Sequence, residues 1–488
     1  MMGVKEKIFI FIFFVLLVSC NAQLDEENPD VSIGVTEVAS DEIDQSYNSG
    51  QNSSDVIDPK QLQYQGAFRL PGGWDAPLTF AYGGNAMTFN PDGDPENDDH
   101  FGGSLFIMGH DRIAYGGLPN GNQVAEVAIP EPIISRDITT LNSADFIQDF
   151  TDVTRGHFTE MEEIPKVGMQ YLNHPKTGPL IHLAWGQHLQ PPNLASHAWF
   201  NPNLLPDSFV GTWFIGDQNL YSVNGYMLKI PQVWADTYTS GRPLATGRMR
   251  DGGQGGMGPA LFAYRPWNED GSPAVDGTHL PETTLLLYEN TYDTMEIEHV
   301  MAGYQHPDEW EGAAWLNDDA GNSAVIFTGT KATGDQYWYG YMHPDGPSKV
   351  CVDQHVTDFP TCRNADGSVC PPSDTNGCCE EEKDTCISMR GWWSNRFDAE
   401  IIFYDPADLS RVALGETDPW QPQPYAVLDI DQYLYLSPPE WDNMMLGYGD
   451  QRRYRIGDAS FDQENGYLYI LELFADEAKP IVHVWHIN

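Results

Sequence analysis

From Gln61 to the C-terminus the chain is a succession of short β-branched and aromatic runs. Gly, Pro, Asn or Asp ends each run, and helical periodicity is scarce. That punctuation confines the chain to all-β architectures. The runs also recur as a unit: a strand with small residues, a turn, an apolar strand, then a strand ending in an Ile-Pro or Asp-Pro step. First strands are read at 82–89, 168–174, 258–264, 311–316 and 456–461, and second strands at 104–109, 180–186, 284–289, 324–329 and 467–471. Third strands include 124–130, 226–231, 399–406 and 480–486, and fourth strands 145–150 and 425–430. The last unit stops after its third strand, at Asn488, and the run 64–70 supplies the missing fourth, as in a ring closed by its own N-terminal strand. The reading is an all-β chain forming a β-propeller of five to seven blades. Five units are clear, and insertions at 195–220 and 335–397 leave room for one or two more. A β-sandwich is the alternative.

Apolar residues at 41% and aromatics at 12% suffice for a folded core. The N-terminus is different. Lys5 and Lys7 precede an apolar run, 8–18, too short to anchor a chain across a bilayer. It ends in Leu17-Val18-Ser19-Cys20, which resembles a bacterial lipobox with Cys20 as the lipidated mature N-terminus; an ordinary signal peptide is the alternative. Both predict an exported protein; in the lipoprotein reading its only membrane contact is an N-terminal lipid anchor. Residues 21–58 hold ten carboxylates between Leu24 and Asp58 and no Lys or Arg, and are read as a disordered acidic tether. The propeller is assigned to 59–488, with a Cys-rich insertion at 345–390. There Cys351, Cys362, Cys370, Cys378, Cys379 and Cys386 form an even set in an oxidising compartment, which predicts two or three disulfides, with a zinc site as the rival.

The net charge of −46, from 25 Lys+Arg against 71 Asp+Glu, argues against a nucleic-acid partner. Most of it lies on the folded part, so the positions of the scarce cations are informative. In a propeller blade the second strand ends, the third begins and the fourth exits on the face where the first begins, called here the front face. Arg155, His157, Arg248, Arg250, Lys331, Arg390, Arg396, Arg452, Arg453 and Arg455 are all assigned to it, with His110, His188 and Tyr226. A cationic funnel in an acidic body attracts and orients anions. Gly-rich 252–258 would let a chain approach the backbone closely, and Trp392 and Trp393 read either as platforms for sugar rings or as core.

Other constellations are weaker. Asp92, Asp94, Glu96 and Asp98 alternate in one turn and could hold calcium, but the Gly and terminal Glu of an EF-hand loop are missing, and a solvated hairpin is the plainer reading. His174 and His182 read as structural. The sequence contains no P-loop, G-x-S-x-G or H-E-x-x-H motif. No cofactor is required for the chemistry, and structural calcium or zinc is left open.

Arg, His and Tyr on one face suit β-elimination from a uronate. Arg pairs with the carboxylate so that the C5 proton becomes acidic, a base removes that proton, and an acid protonates the departing O4. With this set, the chain resembles the propeller-type ulvan lyases of marine bacteria, on the blade pattern over roughly 60–488, the order His157, His188, Tyr226, Arg248, and export of an acidic protein. The resemblance implies a secreted polysaccharide lyase acting on a sulfated, uronate-containing anionic polysaccharide. It implies Arg248 or Arg250 as neutraliser, and Tyr226 with His157 or His188 as base and acid. The binders would be His110, His197, Arg250, Lys331, Arg390, Arg396, Arg452 and Arg453. His182 in place of His188, and Arg242 in place of Arg248, fit the same order. The alternatives are a propeller glycoside hydrolase using paired carboxylates and a non-catalytic glycan-binding surface lipoprotein.

Overall fold

The short apolar runs pair antiparallel with their neighbours and build up blade by blade. The computed structural model describes residues 55–73, 77–94, 101–109, 123–154, 156, 166–186, 195–218, 220–248, 256–290, 299–334, 337–340, 349–352, 361–364, 391–437 and 446–487. All belong to one compact unit, Ser53–Asn488. Its N-terminal strand is β1 (Leu62–Arg69). Blade 1 follows, with β2 (Met87–Asn90), β3 (Ser104–Met108), β4 (Gln123–Ala128) and β5 (Phe146–Asp152). Blade 2 has β6 (Lys166–His174), β7 (Gly178–Gly186), β8 (His197–Phe200) and β9 (Val210–Ile215). Blade 3 has β10 (Met227–Lys229), helix α1 (Gln232–Tyr238), β11 (Leu244–Gly247) and β12 (Ala260–Tyr264). Next, β13 (His279–Leu280) pairs parallel to β9 on the edge of blade 2, and β14 (Glu282–Leu287) completes blade 3.

Blade 4 opens with β15 (Glu309–Asn317) and β16 (Ser323–Ala332). The chain then leaves the ring for a separate small sheet of β17 (Tyr337–Gly340), β18 (Lys349–Val352), β19 (Thr361–Asn364) and β20 (Gly391–Ser394). It returns as β21 (Phe397–Tyr404), helix α2 (Pro406–Ala413) and β22 (Ala426–Asp429). Blade 5 is β23 (Ile456–Asp462), β24 (Tyr467–Asp476) and β25 (Lys479–Ile487), with β1 as its outer strand. The predicted closure is therefore present: Leu62 to Arg69 pair with Ile487 to Ile481.

The ring has five blades. Each interface between neighbouring blades holds its own apolar wedge. Phe106, Val167 and Trp185 lie between blades 1 and 2; Trp199, Leu244 and Phe262 between blades 2 and 3; and Leu261, Trp315 and Phe327 between blades 3 and 4. Ile326, Ile401 and Ile470 fill the interface of blades 4 and 5, and Phe68, Ile107 and Leu471 that of blades 5 and 1. Among the described residues the two insertions add no further blade: 195–220 contains β8 and β9, and 335–397 contains the small extra sheet. A β-sandwich is incompatible with wedges that return to their starting blade.

The small residues noted in the first strands have a steric reason. A Cβ on Gly168 of β6 would lie 2.0 Å from the Gly225 carbonyl oxygen, and one on Gly457 of β23 would lie 2.1 Å from that of Gly84. Innermost strands converge on the axis, and only glycine allows this approach. Their axial edges would otherwise leave amides unpaired. Side chains of the neighbouring blade supply partners: Met87 N donates to Asp458 Oδ2 (2.8 Å), Phe89 N to Ser460 Oγ (2.9 Å) and Tyr171 N to Thr88 Oγ1 (2.7 Å).

The structure differs from the sequence reading in two places. The innermost strand of blade 3 is β10, not 258–264, which is the third strand of that blade; the run 226–231 was read as the third strand of blade 2, a place held by β8. The tether is also shorter than 21–58, since Val56 bridges to Ser323 and Ile57 is fully buried in the wedge of blades 4 and 5. Residues 1–54 lie outside the described residues, and with them the leader and lipobox. In the insertion, Cys351 stands opposite Cys362 in register; the other four cysteines also lie outside.

Candidate functional site

The two-strand shift in blade 3 leaves the predicted face unchanged, because first and third strands begin on the same side. Tyr226 precedes β10, Arg248 follows β11, Lys331 lies at the end of β16, Arg396 precedes β21, and Arg452, Arg453 and Arg455 precede β23. All seven are on the front face. His110, His157, His188, Arg155, Arg250 and Arg390 lie outside the described residues.

Two predicted site residues are core. Tyr226 is fully buried; its hydroxyl donates to the Ala260 carbonyl (2.7 Å) and accepts from the Ala260 amide (3.0 Å), while its ring meets Phe327 edge-on. This hydroxyl ties β10 to β12 and is not presented to a substrate, so the acid/base role does not hold. Tyr226→Phe is instead expected to destabilise the fold by about 1–3 kcal/mol through the unpaired Ala260 groups, measurable by denaturant unfolding. His197 is likewise fully buried, bonded to Ser196 Oγ (2.9 Å) and Thr246 Oγ1 (3.0 Å), and burial pushes its pKa down to about 3. It is a neutral strut between blades 2 and 3, not a substrate binder.

The substitutes do not serve either. His182 is fully buried between Trp199 and Trp267 and is also pushed down to about 3 by burial. Arg242 lies on the back face, where it donates to the carbonyls of Pro281 (3.0 Å) and Thr239 (2.8 Å) beyond α1.

The remaining cations are held in place, several by acids. Lys331 Nζ donates to Asp308 Oδ1 (2.9 Å) and the Ala332 carbonyl (2.7 Å). Arg396 pairs with Asp398 (2.9 Å), and Arg455 with Asp431 (2.5 Å). Arg453 lies 3.9 Å from the ring centroid of Trp393 and donates to the Trp392 carbonyl (3.0 Å), and Arg452 sits 5.5 Å from Phe474. Arg248 is only 1% exposed and packs against Gly256, where a Cβ would come within 2.3 Å of its Nη1. Burial holds the phenols of Tyr288 and Tyr404 above their ordinary range, and the charge of Arg248 opposes this. The two hydroxyls are 3.0 Å apart.

A group missed in the sequence completes the face. His306, in the turn before β15, lies 5.8 Å from the Tyr337 ring, nearly parallel, and 4.8 Å from Trp392, near-perpendicular. Burial pushes its pKa to about 4, so it is neutral at pH 7. Trp392 is half-buried, whereas Trp393 is fully buried with Ala332 and Phe397 and belongs to the core. Tyr337, Trp392 and His306 thus form an aromatic wall where the small extra sheet meets blade 4, with Arg453 attached through Trp392. The local signal was the Gln305-His306-Pro307 turn, but nothing in it announced a ring stack with residues some thirty and eighty positions away.

Among the described residues no group of three or more His, Cys, Asp or Glu is placed to hold a metal. Asp92 of the acidic turn accepts from Tyr171 Oη (2.6 Å), Asp94 has positive φ, and Glu96 and Asp98 lie outside the described residues.

No family model matches the chain, and no curated protein matches it in sequence. Among solved structures it is similar to the PQQ domain of pyranose dehydrogenase from Coprinopsis cinerea, at 10% identity and TM-score 0.31, over 84% of this chain and 93% of that one. It is similar to the β-propeller domain of Cps50 (Swd1) from Myceliophteria thermophila, at 9% identity and TM-score 0.26, over 88% and 100%. Endo-1,5-alpha-L-arabinanase from Thermotoga petrophila gives 11% identity and TM-score 0.24, over 84% and 99%. Likenesses this remote say nothing of substrate or cofactor.

Proposed function

We propose that this propeller binds an anionic, uronate-bearing polysaccharide on its front face and cleaves it by β-elimination, as an exported protein. The observation that carries the reading is the aromatic wall of Tyr337, Trp392 and His306 joined to Arg453, with Arg396 exposed nearby on the same face. Sugar rings stack on such walls through their apolar faces, while arginine forks pair with carboxylate or sulfate. In this reading Arg250 neutralises the uronate carboxylate at the reacting unit, since Arg248 is buried like Tyr226. The proton transfers fall to His157 and His188, since Tyr226 is withdrawn into the core. Export rests on Lys5, Lys7 and the apolar run that ends at Cys20.

The experiment is incubation with ulvan and other polyuronates, read as the ultraviolet absorbance of the unsaturated uronate product. The wild-type protein is expected to raise it. Arg250→Ala is expected to lower kcat/KM by about a hundredfold or more, as loss of a charged group acting in the transition state does. Arg396→Ala, an exposed pair, is expected to change KM by only a few fold. Reducing ends without absorbance would replace elimination by hydrolysis. Binding without either product would leave a glycan-binding protein.

A further inference from the structure

The five innermost strands begin on the front face and end on the back, and where they end they enclose a cavity of about 220 Å³. Every blade contributes: Phe89 and Pro91 from blade 1, Asn173 from blade 2, Lys229 from blade 3, Trp315 from blade 4, and Phe461 to Glu464 from blade 5. It is separated from the front-face cations by the length of the innermost strands. It therefore forms no part of the site proposed above.

Three features of this wall point to a ligand. Trp315 is buried, yet its indole N–H has no partner. An unsatisfied buried donor is costly, and a ligand hydroxyl would relieve it. The side chains of Lys229, Asn173 and Gln463 offer donors and acceptors to the space. Apolar surface from Phe89, Leu228 and Phe461 completes the lining, the mixture of apolar wall and few polar groups that fits small-molecule sites.

Charge selects the class. Lys229 is the one cation among the lining residues, and Glu464 opposes it. The other acid, Asp462, is committed to the backbone amides of Glu464 (3.0 Å) and Asn465 (3.2 Å) and to Asn465 Nδ2 (2.7 Å). A mixed wall favours neither an anion nor a cation. It suits a neutral molecule with several hydroxyls, each able to donate to Glu464 and accept from Lys229 or the Trp315 indole.

We propose that the back-face axial cavity is a binding site for a neutral sugar unit, independent of the anionic substrate on the front face. A chain carrying both uronate and neutral sugars, or its released products, would then meet the protein at two places.

The test is calorimetric titration of the full chain with glucose, galactose, xylose and rhamnose, with glucuronate and glucosamine as charged counterparts. At least one neutral sugar is expected to bind saturably, and about tenfold more tightly than either charged sugar. Lys229→Met and Gln463→Ala, both at exposed positions, are expected to weaken it about tenfold each, while Arg396→Ala, exposed on the front face, leaves it unchanged. Trp315→Phe, which retains packing but removes the N–H, should weaken it similarly if the variant folds. No saturable binding of any neutral sugar overturns the proposal, as does binding unaffected by both Lys229→Met and Gln463→Ala. Binding lost in Arg396→Ala but retained in Lys229→Met would place the sugar on the front face and overturn it too. Front-face cleavage is assayed separately by ultraviolet absorbance, so either proposal can fail while the other stands.

Discussion

Glu472→Ala is expected to destabilise the propeller by about 3–5 kcal/mol, because several hydrogen bonds to one buried carboxylate, each about 1.5–3 kcal/mol, are lost together. Glu472 on β24 is fully buried and accepts from three donors. The amides of Tyr435 (2.9 Å to Oε1) and Leu436 (2.7 Å) donate to it, with a second contact from Tyr435 N to Oε2 (3.0 Å), and His483 Nε2 lies 2.8 Å from Oε2. On the other side of the ring, His483 Nδ1 is 2.9 Å from Tyr64 Oη. Burial pushes the Tyr64 phenol above its ordinary range, so it stays protonated and donates to His483. The resulting chain runs from the closing strand β1 through β25 to β24, and then to the segment arriving from blade 4.

Removal of Glu472 strands two half-buried amides and a buried histidine at the seam where the ring is closed. Tyr64→Phe removes a single hydrogen bond and retains the stacking on Tyr433 (4.2 Å), so it is expected to cost only about 1 kcal/mol. The order Glu472→Ala, then His483→Ala, then Tyr64→Phe, read from denaturant midpoints with an unchanged slope, is the expected result. If Glu472→Ala unfolded no earlier than Tyr64→Phe, the chain would not be what holds the seam.

Most of the ring was legible because a blade announces itself locally. In blades 4 and 5 the first two strands are joined by tight turns, at Asp318 to Asn322 and at Asp462 to Gly466, and their positions agree with the sequence reading. Blade 3 was misphased because α1 occupies the connection where a hairpin turn was expected. Met227–Lys229 is also only three residues long, too short to stand out by alternation. The face survived this error since a shift of two strands returns to the same side. Burial was not legible. Tyr226 and His197 have the residue types of a catalytic site, but whether their polar atoms meet a substrate or Ala260 and Thr246 depends on partners distant in sequence. Local spacing cannot supply that. The same limit hid His306, whose ring partners arrive from the small extra sheet.

The second large effect depends on pH and lies beside the front-face lysine. Glu400 on β21 stands opposite Gly329 of β16 and Asp429 of β22. Burial raises its pKa, Lys331 lowers it, and Asp308, Asp398 and Asp429 raise it further, leaving it at about 7 against an ordinary 4.5. The folded state therefore holds a proton that the unfolded chain releases between pH 4.5 and 7. Glu400 imposes no penalty below pH 4.5, an increasing one as pH rises through that window, and a constant one above 7. A shift of this size corresponds to about 3 kcal/mol, reduced to about 2–3 kcal/mol by its partial exposure. Glu400→Gln keeps the shape and removes the ionisation. It is expected to be more stable than the wild type by that amount at pH 8 and indistinguishable from it at pH 4, in denaturant unfolding at both pH values. Comparing the two proteins at each pH cancels the other titrating groups. An equal difference at pH 4 and pH 8 would mean that packing, not charge, governs the position. Because the carboxylate that forms near neutrality is coupled to Lys331, it also makes the front face less cationic. The KM of the wild type for a polyuronate is thus expected to rise between pH 6 and pH 8, and that of Glu400→Gln to stay flatter over the same range.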